Sequence, residues 1–201
     1  MSATARRYDL DDLYRLREED PDPRNRYELI DGELIVSPAP GPAHQRLQFR
    51  LAKIVDRGTE HHDRVSIFLS PIDLRDADRS VVQPDLLLLL DERTAFETAS
   101  DIAGPPNLVV EIFSPSTERI DRGKKLAFYA RLGVDELWLV DGKRRTLSIY
   151  SEPQDGRYRS VVTFTTPGSA RSATIPGLEV DLDALFAAPA WLAADEVADG
   201  G

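Results

Sequence analysis

The chain has no cysteine, which excludes a disulfide-stabilised scaffold, a thiolate zinc site and a cysteine nucleophile. It also lacks a long apolar run. The longest aliphatic stretch is Leu86–Leu90, far short of the roughly 18 residues that a membrane span needs. The N-terminal segment MSATARRY is too polar to contain the apolar core of a signal peptide. These absences predict a cytoplasmic protein with no membrane segment.

Positive charge is scarce, since 25 Lys and Arg stand against 35 Asp and Glu, for a net charge of −10. From Ser172 onward there are six acids and no Lys or Arg, so the rest of the chain carries only −4. Residues 111–131 are locally basic, with five Lys and Arg against three acids. Nucleic-acid binding depends on Lys and Arg, so the overall charge opposes it, but the uneven distribution leaves the partner open.

The length of 201 residues favours one domain, because domains hold on the order of 150 residues. We predict three parts: a short amphipathic helix and lead-in over 1–26, the domain over 27–186, and an acidic, frayed tail over 187–201. Asp31-Gly32 predicts a hairpin. Apolar periodicity predicts helices at 43–60 and 120–132, and strands at 65–74, 81–90, 108–113, 136–140, 146–150 and 158–164. This order predicts an α/β domain with a mixed sheet.

Two carboxylates interrupt apolar strands, Asp85 within residues 81–90 and Glu111 within residues 108–113. An unpaired buried carboxylate is costly, so each needs a cation, hydrogen-bond donors or a proton. If the two strands are neighbours, a divalent metal would hold both groups ionised, and ligation by oxygen alone favours Mg²⁺ or Mn²⁺. The alternative is that each carboxylate is structural and pairs with an arginine or with backbone amides.

Pro84 removes a ladder hydrogen bond, so the strand must be bulged or lie at a local edge there, as often happens beside active sites. On the following helix, Asp121, Lys125 and Tyr129 share one face at intervals of four residues. That face is either an ordinary solvated ion pair with an aromatic, or it directs Lys125 at the two carboxylates. There the lysine would hold the attacking water or stabilise charge on a phosphate oxygen.

Four more polar residues have both a functional and an ordinary interpretation. His44 opens the first long helix, either exposed or as a phosphate contact or proton shuttle at the pocket rim. Glu33 on the hairpin is an outer metal ligand or a solvated strand residue. Asp73 shares the metal or pairs with an arginine. Gln83 lies on the same strand face as Asp85 and is a hydrogen-bond donor to the site.

The ordered set of motifs resembles the Uma-type restriction endonuclease family of the PD-(D/E)XK nuclease superfamily. Pro84-Asp85, then Glu111 26 positions later and a nearby lysine are similar to the superfamily motif, and the α-β-β-β-α-β order matches its core. The segments that match in order are YELIDGEL, PAHQ, VQPD, VVEIFSPST, DxxxKxxxY, GVDELWLVD and IPGLEV. They cover most of residues 27–186, and as an ordered set they are specific.

The resemblance implies a restriction endonuclease-like core with a mixed sheet, an N-terminal hairpin and added C-terminal antiparallel strands. It implies an endonuclease dependent on Mg²⁺ or Mn²⁺ that hydrolyses phosphodiester bonds by in-line attack of a metal-activated water, with DNA as substrate and a homodimer as the assembly. Asp85, Glu111 and the backbone carbonyl of Ile112 would hold the metal. Phe113 occupies the usual lysine position, so Lys125 would supply the lysine, with Lys124 the adjacent alternative.

Two other functions fit the sequence. A non-catalytic domain could keep the fold and bind nucleic acid or a protein, as the acidic charge and Phe113 suggest. A metal-dependent hydrolase of a small phosphate ester would suit an acidic protein electrostatically. The choice between DNA and RNA, the sequence specificity and the biological role are not encoded in any motif that we identify.

Overall fold

The computed structural model describes residues 6–22, 24–76, 79–113 and 121–188. Within them, the helices are α1 (Leu10–Glu19), α2 (Pro42–Thr59), α3 (Leu126–Leu132) and α4 (Leu182–Phe186), with a 3₁₀ helix at Asp91–Phe96 and a π-helical turn at Asp121–Lys125. The strands are β1 (Arg26–Ile30), β2 (Glu33–Ser37), β3 (Val65–Leu69), β4 (Asp73–Arg75), β5 (Val81–Val82), β6 (Leu86–Leu90), β7 (Asp101–Ile102), β8 (Leu108–Ile112), β9 (Glu136–Asp141), β10 (Thr146–Gln154), β11 (Arg157–Thr165), β12 (Ser169–Arg171) and β13 (Glu179–Asp181). The predicted frayed tail lies outside the described residues from residue 189 onward.

The strands form a six-stranded sheet in the order β11-β10-β9-β8-β6-β3, a five-stranded sheet in the order β2-β1-β5-β4-β7, and a β12-β13 pair. In the large sheet β8 and β9 are parallel and the other neighbours are antiparallel, which confirms the predicted mixed sheet. None of the described helices combines the length and apolar character that a membrane crossing requires.

The large sheet is covered on both faces, which explains why β6 is a run of five leucines. Leu86, Leu88 and Leu90 pack in one core cluster with α2, and Leu87 and Leu89 pack in a second cluster with Phe128 and Tyr129 of α3. Successive side chains of a strand point to opposite faces, so an apolar residue is needed at every position. The sheet therefore lies between α2 and α3.

The prediction of a single strand over residues 81–90 is wrong, because the strand is interrupted at Pro84. β5 belongs to the five-stranded sheet and β6 to the six-stranded sheet. Pro84 has no N–H for a ladder, so the irregular geometry that it predicts is confirmed. The Asp85 carbonyl instead accepts hydrogen bonds from the Gln48 side-chain amide at 2.7 Å and from the Ser70 backbone N–H at 3.2 Å. The break therefore leaves Asp85 just before the first residue of β6, at a corner between the two sheets.

Glu136 is a buried carboxylate with a structural role that the sequence analysis missed. It is fully buried at the start of β9. One oxygen accepts from the Trp138 indole, and the other accepts from Ser172, Ala173 and Thr174 at 2.8–3.0 Å. These bonds tie the segment before β13 to the large sheet.

We expect Glu136→Gln to lower the free energy of unfolding by about 3 kcal/mol, because an amide nitrogen replaces an acceptor among several buried donors. Urea denaturation followed by tryptophan fluorescence measures this change. The matched variant Glu92→Gln, at an exposed residue, should change stability by less than about 0.5 kcal/mol. Equal effects of the two variants would contradict this role for Glu136.

Candidate active site

One cleft of about 760 Å³ contains the three residues that the resemblance assigns to a metal, together with Lys125 and His44. Its walls come from β1, the N-terminal end of α2, the start of β6, the end of β8, the π-helical turn and the turn between β9 and β10. Among its lining residues are His44, Asp85, Glu111, Ile112 and Lys125. The cleft therefore brings together residues that are up to 118 positions apart in the chain, from Arg26 to Arg144.

Asp85 and Glu111 lie beside each other because β6 and β8 are neighbouring strands, which is the condition under which the two could share a metal. β6 and β8 are antiparallel with Leu86 opposite Val110, so the register continues to Asp85 beside Glu111. Both residues are at most 3% exposed. Two carboxylates thus lie side by side where the two central strands open onto the cleft.

Asp85 already has partners for both of its oxygens. Oδ1 accepts from Arg26 Nη1 at 3.0 Å, and Oδ2 accepts from the Ile112 backbone N–H at 2.8 Å. His44 Nε2 lies 3.0 Å from the same Oδ2. His44 is thus drawn into the site and is not an exposed helix-end residue, because it lies within the first turn of α2 where the helix meets β6. Asp85 therefore has an arginine and a backbone amide as partners, as the alternative of a structural carboxylate predicts.

The pKa of the Asp85 carboxyl lies below its ordinary value. Burial raises the pKa, but the hydrogen bond with His44, the positive charge of Arg26 and the Ile112 amide together outweigh burial. The carboxylate is therefore the form present at neutral pH. Hard cations such as Mg²⁺ bind to ionised oxygen ligands, and the Asp85 carboxylate is such a ligand at the cleft.

Glu111 is held by Lys125 and Tyr129, two of the residues predicted to share a helix face. Lys125 Nζ lies 2.9 Å from Glu111 Oε1, and the Tyr129 hydroxyl donates to the same oxygen. Lys125 is buried, being 5% exposed, so it is not part of a solvated ion pair. It ends the π-helical turn, and four residues later Tyr129 lies on α3. π-helical turns occur frequently at functional sites. The side chain of Asp121 lies outside the described residues.

Lys124 and Glu33 are not brought to the cleft. The two side chains form an ion pair with each other and are each about half exposed, at 49% and 57%. The pair lowers the pKa of Glu33 through the hydrogen bond and charge of Lys124. Lys124 precedes Lys125 on the π-helical turn and points outward, because adjacent residues of a helix do not share a face. The suggestions of an outer metal ligand at Glu33 and a lysine role for Lys124 are therefore not supported by the geometry.

Asp73 and Gln83 form a support behind the site. Asp73 accepts from Arg17 at 2.7 and 3.0 Å and from the Gln83 side-chain amide at 2.9 Å, which is the arginine pairing left open above. Gln83 does not donate to Asp85, because the break at Pro84 ends the strand alternation on which that expectation depended. Its backbone N–H instead donates to Glu28 Oε1 at 2.6 Å.

Glu28 and Arg26, both on β1, are site residues that the sequence analysis missed. Glu28 is 3% exposed, and its Oε1 lies 2.8 Å from Lys125 Nζ, so this lysine bridges Glu28 and Glu111. Arg26 contacts Asp85 as described above. The signal for Glu28 is an acid between apolar residues in YELI, the same pattern that singled out Glu111.

The cleft can accept a further cation electrostatically. Three buried carboxylates, those of Glu28, Asp85 and Glu111, face the positive charges of Arg26 and Lys125. Carboxylate oxygens are the donors that Mg²⁺ and Mn²⁺ prefer, so the donor chemistry fits such an ion. Among the described residues, however, no group of three or more Asp, Glu or His side chains is arranged around one point as in a complete metal shell.

Known proteins share this sequence pattern and fold. Residues 10–184 match the model of the Uma2 family, whose description reads "Putative restriction endonuclease". A curated relative, "Uncharacterized protein sll1609" of Synechocystis sp. (strain ATCC 27184 / PCC 6803 / Kazusa), is 29% identical over 117 residues. That alignment covers 57% of this chain and 65% of the relative, which is just under two thirds of its length.

A solved structure has the same fold. It is described as a "putative nuclease belonging to DUF820 from Anabaena variabilis ATCC 29413", and it superposes with a TM-score of 0.69 at 21% identity over 87% of this chain and 96% of its own. This likeness confirms the predicted restriction endonuclease-like fold. The family match extends over most of the chain and includes both carboxylate strands and Lys125. The chain therefore belongs to the Uma2 family.

Proposed function

We propose that this protein is a divalent-metal-dependent endonuclease that hydrolyses phosphodiester bonds, with DNA as its substrate. The observation that carries the proposal is the convergence of the Asp85 and Glu111 carboxylates and the Lys125 ammonium in one cleft. The restriction endonuclease description of the family and the nuclease description of the structural neighbour support the same activity.

Asp85 and Glu111 are the proposed metal ligands, together with the backbone carbonyl of Ile112. All three residues line the cleft, and their oxygens suit Mg²⁺ or Mn²⁺. When bound, such an ion supplies a Lewis acid that polarises a phosphoryl oxygen and acidifies a water. Arg26 holds one oxygen of Asp85 and His44 the other, so both residues fix the orientation of that carboxylate.

Lys125 is proposed to orient the attacking water and to stabilise charge that develops on the phosphate. Its ammonium lies within hydrogen-bond distance of the Glu28 and Glu111 carboxylates where they line the cleft. The Tyr129 hydroxyl shares Glu111 Oε1 with the lysine and restricts the movement of that carboxylate. The site thus offers a preorganised cation beside the proposed ligands, which is the arrangement that lowers the free energy of a phosphoryl-transfer transition state.

Basic residues at the rim make an anionic polymer a suitable substrate despite the acidic chain. Lys143 and Arg144, on the turn between β9 and β10, line the same cleft. Arg144 is held in place by Asp141 at 2.6 Å. These side chains are placed to contact phosphates on either side of the scissile bond, the usual source of affinity for nucleic acid.

The proposal predicts metal-dependent cleavage by the purified wild type. Supercoiled plasmid and single-stranded DNA are incubated with Mg²⁺, with Mn²⁺ and with EDTA, and products are resolved on gels. We expect cutting in either metal and none in EDTA, with loss of cutting by Asp85→Asn. Cutting that persists in EDTA, or that is unchanged in Asp85→Asn, would contradict the proposal.

A second candidate is a nuclease fold that binds nucleic acid without cutting it. It is favoured by the complete pairing of Asp85 with Arg26, His44 and the Ile112 amide in this structure. DNA binding by the wild type, with no cleavage and no binding of Mn²⁺, would favour this function. A hydrolase of small phosphate esters would instead turn over bis(p-nitrophenyl) phosphate and show no affinity for DNA.

We also propose that the active form is a homodimer, since two copies of one cleft would cut the two strands of a duplex. Sedimentation velocity of the full chain tests this assembly. A single species with the mass of one chain at micromolar concentration, under conditions in which duplex DNA is cut on both strands, would contradict it.

A further inference from the structure

A second cleft adjoins the proposed active site. Its volume is about 700 Å³, within the range of about 300–1,000 Å³ that is typical of small-molecule sites. Phe49 and Gln45 of α2 form one wall, and Leu69 and Pro71 after β3 form another. Arg26 and residues 39–40 line both this second cleft and the catalytic cleft. A single ligand could therefore occupy both clefts.

Phe49 is the most exposed large apolar side chain among the described residues, with 62% of its surface accessible. The ring lies on the outer face of α2, and Lys53, one turn further along, places its ammonium 5.6 Å from the ring centroid. An exposed aromatic beside a flexible cation is the combination that stacks a nucleobase and neutralises its phosphate.

The helix that bears Phe49 is basic within an acidic protein. Residues 42–59 contain four Lys and Arg and one acid, whereas the whole chain has a net charge of −10. Arg50 is used inside the fold, because its guanidinium donates to the Leu185 and Ala187 carbonyls at 2.7 and 2.6 Å. Lys53 and Arg57 lie on the exposed side of α2, in line with Phe49 at steps of four residues. Their charges complement an anionic polymer.

Ionic groups inside the second cleft are already paired. Arg24 is bound to Asp22 at 2.8 Å, Arg17 to Asp73 at 2.7 Å, and Asp20 accepts from the Tyr27 hydroxyl. Among the described residues, each arginine of the second cleft is therefore held by a carboxylate, and what the cleft offers a ligand is the face of Phe49 and the apolar surface of Leu69 and Pro71. A flat, largely uncharged group such as a nucleobase fits that chemistry.

We infer that the outer face of α2 binds a single-stranded segment of nucleic acid, with one unpaired base stacked on Phe49 and the adjoining phosphate near Lys53. This inference rests on the proposed nuclease function and assigns it a substrate-binding site. Bases in a duplex are stacked on each other, so only an unpaired base can stack on the ring. A second copy of the chain fits less well. A two-fold interface centred on Phe49 would bring the basic stripe of one copy beside that of the other.

The test measures binding separately from cutting. The full-length wild type and its Phe49→Ala, Phe49→Trp and Val162→Ala variants are titrated into a fluorescein-labelled single-stranded oligonucleotide in EDTA, and anisotropy is recorded. We expect about a tenfold or greater loss of affinity for Phe49→Ala. Phe49→Trp should restore it, and Val162→Ala, at an exposed valine on β11, should not change it. The fluorescence of a 2-aminopurine in the bound strand should be higher with Phe49→Ala than with the wild type, because the stacking ring is absent.

Turnover of a small substrate and the mass of the assembly distinguish failure of this binding site from failure of the proposed nuclease function. Phe49→Ala should keep its rate on bis(p-nitrophenyl) phosphate while its KM for single-stranded DNA rises. Weak binding by Phe49→Ala in a protein that never cuts would uphold this site and overturn the nuclease. Equal affinities of wild type and Phe49→Ala would overturn the site, whatever the cleavage result. A change from dimer to monomer on Phe49→Ala, seen by sedimentation, would assign the face to a second copy and also overturn it.

Discussion

Glu111→Gln is expected to reduce metal-dependent DNA cleavage at least about 100-fold while leaving the protein folded. The substitution keeps the size of the side chain and an oxygen that can accept from Tyr129 and Lys125, but it removes the negative charge of one of the two proposed metal ligands. Loss of a charge-stabilising group at a reacting centre typically costs about 10²–10³ in rate. Initial rates on a labelled duplex in Mn²⁺ measure the change, and circular dichroism checks the fold.

Glu33→Gln is the matched control for this experiment. Glu33 is an exposed glutamate on β2 whose ion pair with Lys124 lies at the surface, so its loss should leave the cleavage rate within about twofold. A Glu111→Gln protein that cuts as fast as wild type would move the metal away from β8. Equal losses in both variants would indicate a general effect of charge on substrate binding.

Lys125→Met is expected to lose cleavage and also to destabilise the protein, by about 3–5 kcal/mol. Methionine fills similar space but removes the cation that lies between the buried Glu28 and Glu111 carboxylates. Removing one partner of a buried ion pair leaves uncompensated charge, which is more costly than the loss of an exposed pair. Urea denaturation gives the change in the free energy of unfolding, and the cleavage assay gives the change in rate.

A control at the neighbouring Lys124 separates the effect of the position of the lysine from the effect of its charge. Lys124→Met removes the same charge one residue earlier, at a side chain that is half exposed. It should change stability by no more than about 1 kcal/mol and leave cleavage unaltered. If Lys124→Met abolished cutting and Lys125→Met did not, the lysine of the site would be Lys124, and the geometry around Glu111 would not be that of the active state.

Much of the site could be predicted because it lies on strands with a strong pattern. Asp85 and Glu111 each interrupt a run of aliphatic residues, and the structure places those runs side by side as β6 and β8. Lys125 and Tyr129 are four residues apart, and both reach Glu111. The spacing of Lys125 and Tyr129 is local in the sequence, and the approach of Asp85 to Glu111 depends on a single strand pairing. Both can therefore be inferred from the sequence pattern.

The sequence pattern of YELI marks Glu28 as a buried acid, but its pairing with Lys125 could not be predicted from that pattern, since Lys125 is 97 positions away in the chain. The contact forms because tertiary packing places β1 of the five-stranded sheet beside the π-helical turn. Gln83 was misplaced because Pro84 breaks the strand and so ends the alternation of faces. The course of a chain at such a break depends on tertiary contacts, here those of the Asp85 carbonyl with Gln48 and Ser70.

Glu136 shows that the pattern alone does not identify a catalytic acid. Like Glu111, it lies in a buried strand among aliphatic residues, in the segment DELWLVD. One of its oxygens accepts from the Trp138 indole and the other from backbone and hydroxyl donors of residues 172–174, whereas Glu111 faces a cleft and a lysine. The sequence pattern predicts a buried acid, and the partners that surround it decide between a structural and a chemical role.

Binding of Mn²⁺, followed by the loss of its free electron paramagnetic resonance signal on titration into protein, tests most directly whether Asp85 and Glu111 hold a metal. The wild type should bind Mn²⁺ stoichiometrically to the chain, and Asp85→Asn and Glu111→Gln should each weaken binding at least about tenfold, while Glu33→Gln binds as the wild type does. Absence of binding by the wild type, or equal binding by all four proteins, would show that these carboxylates serve only Arg26, His44 and Lys125.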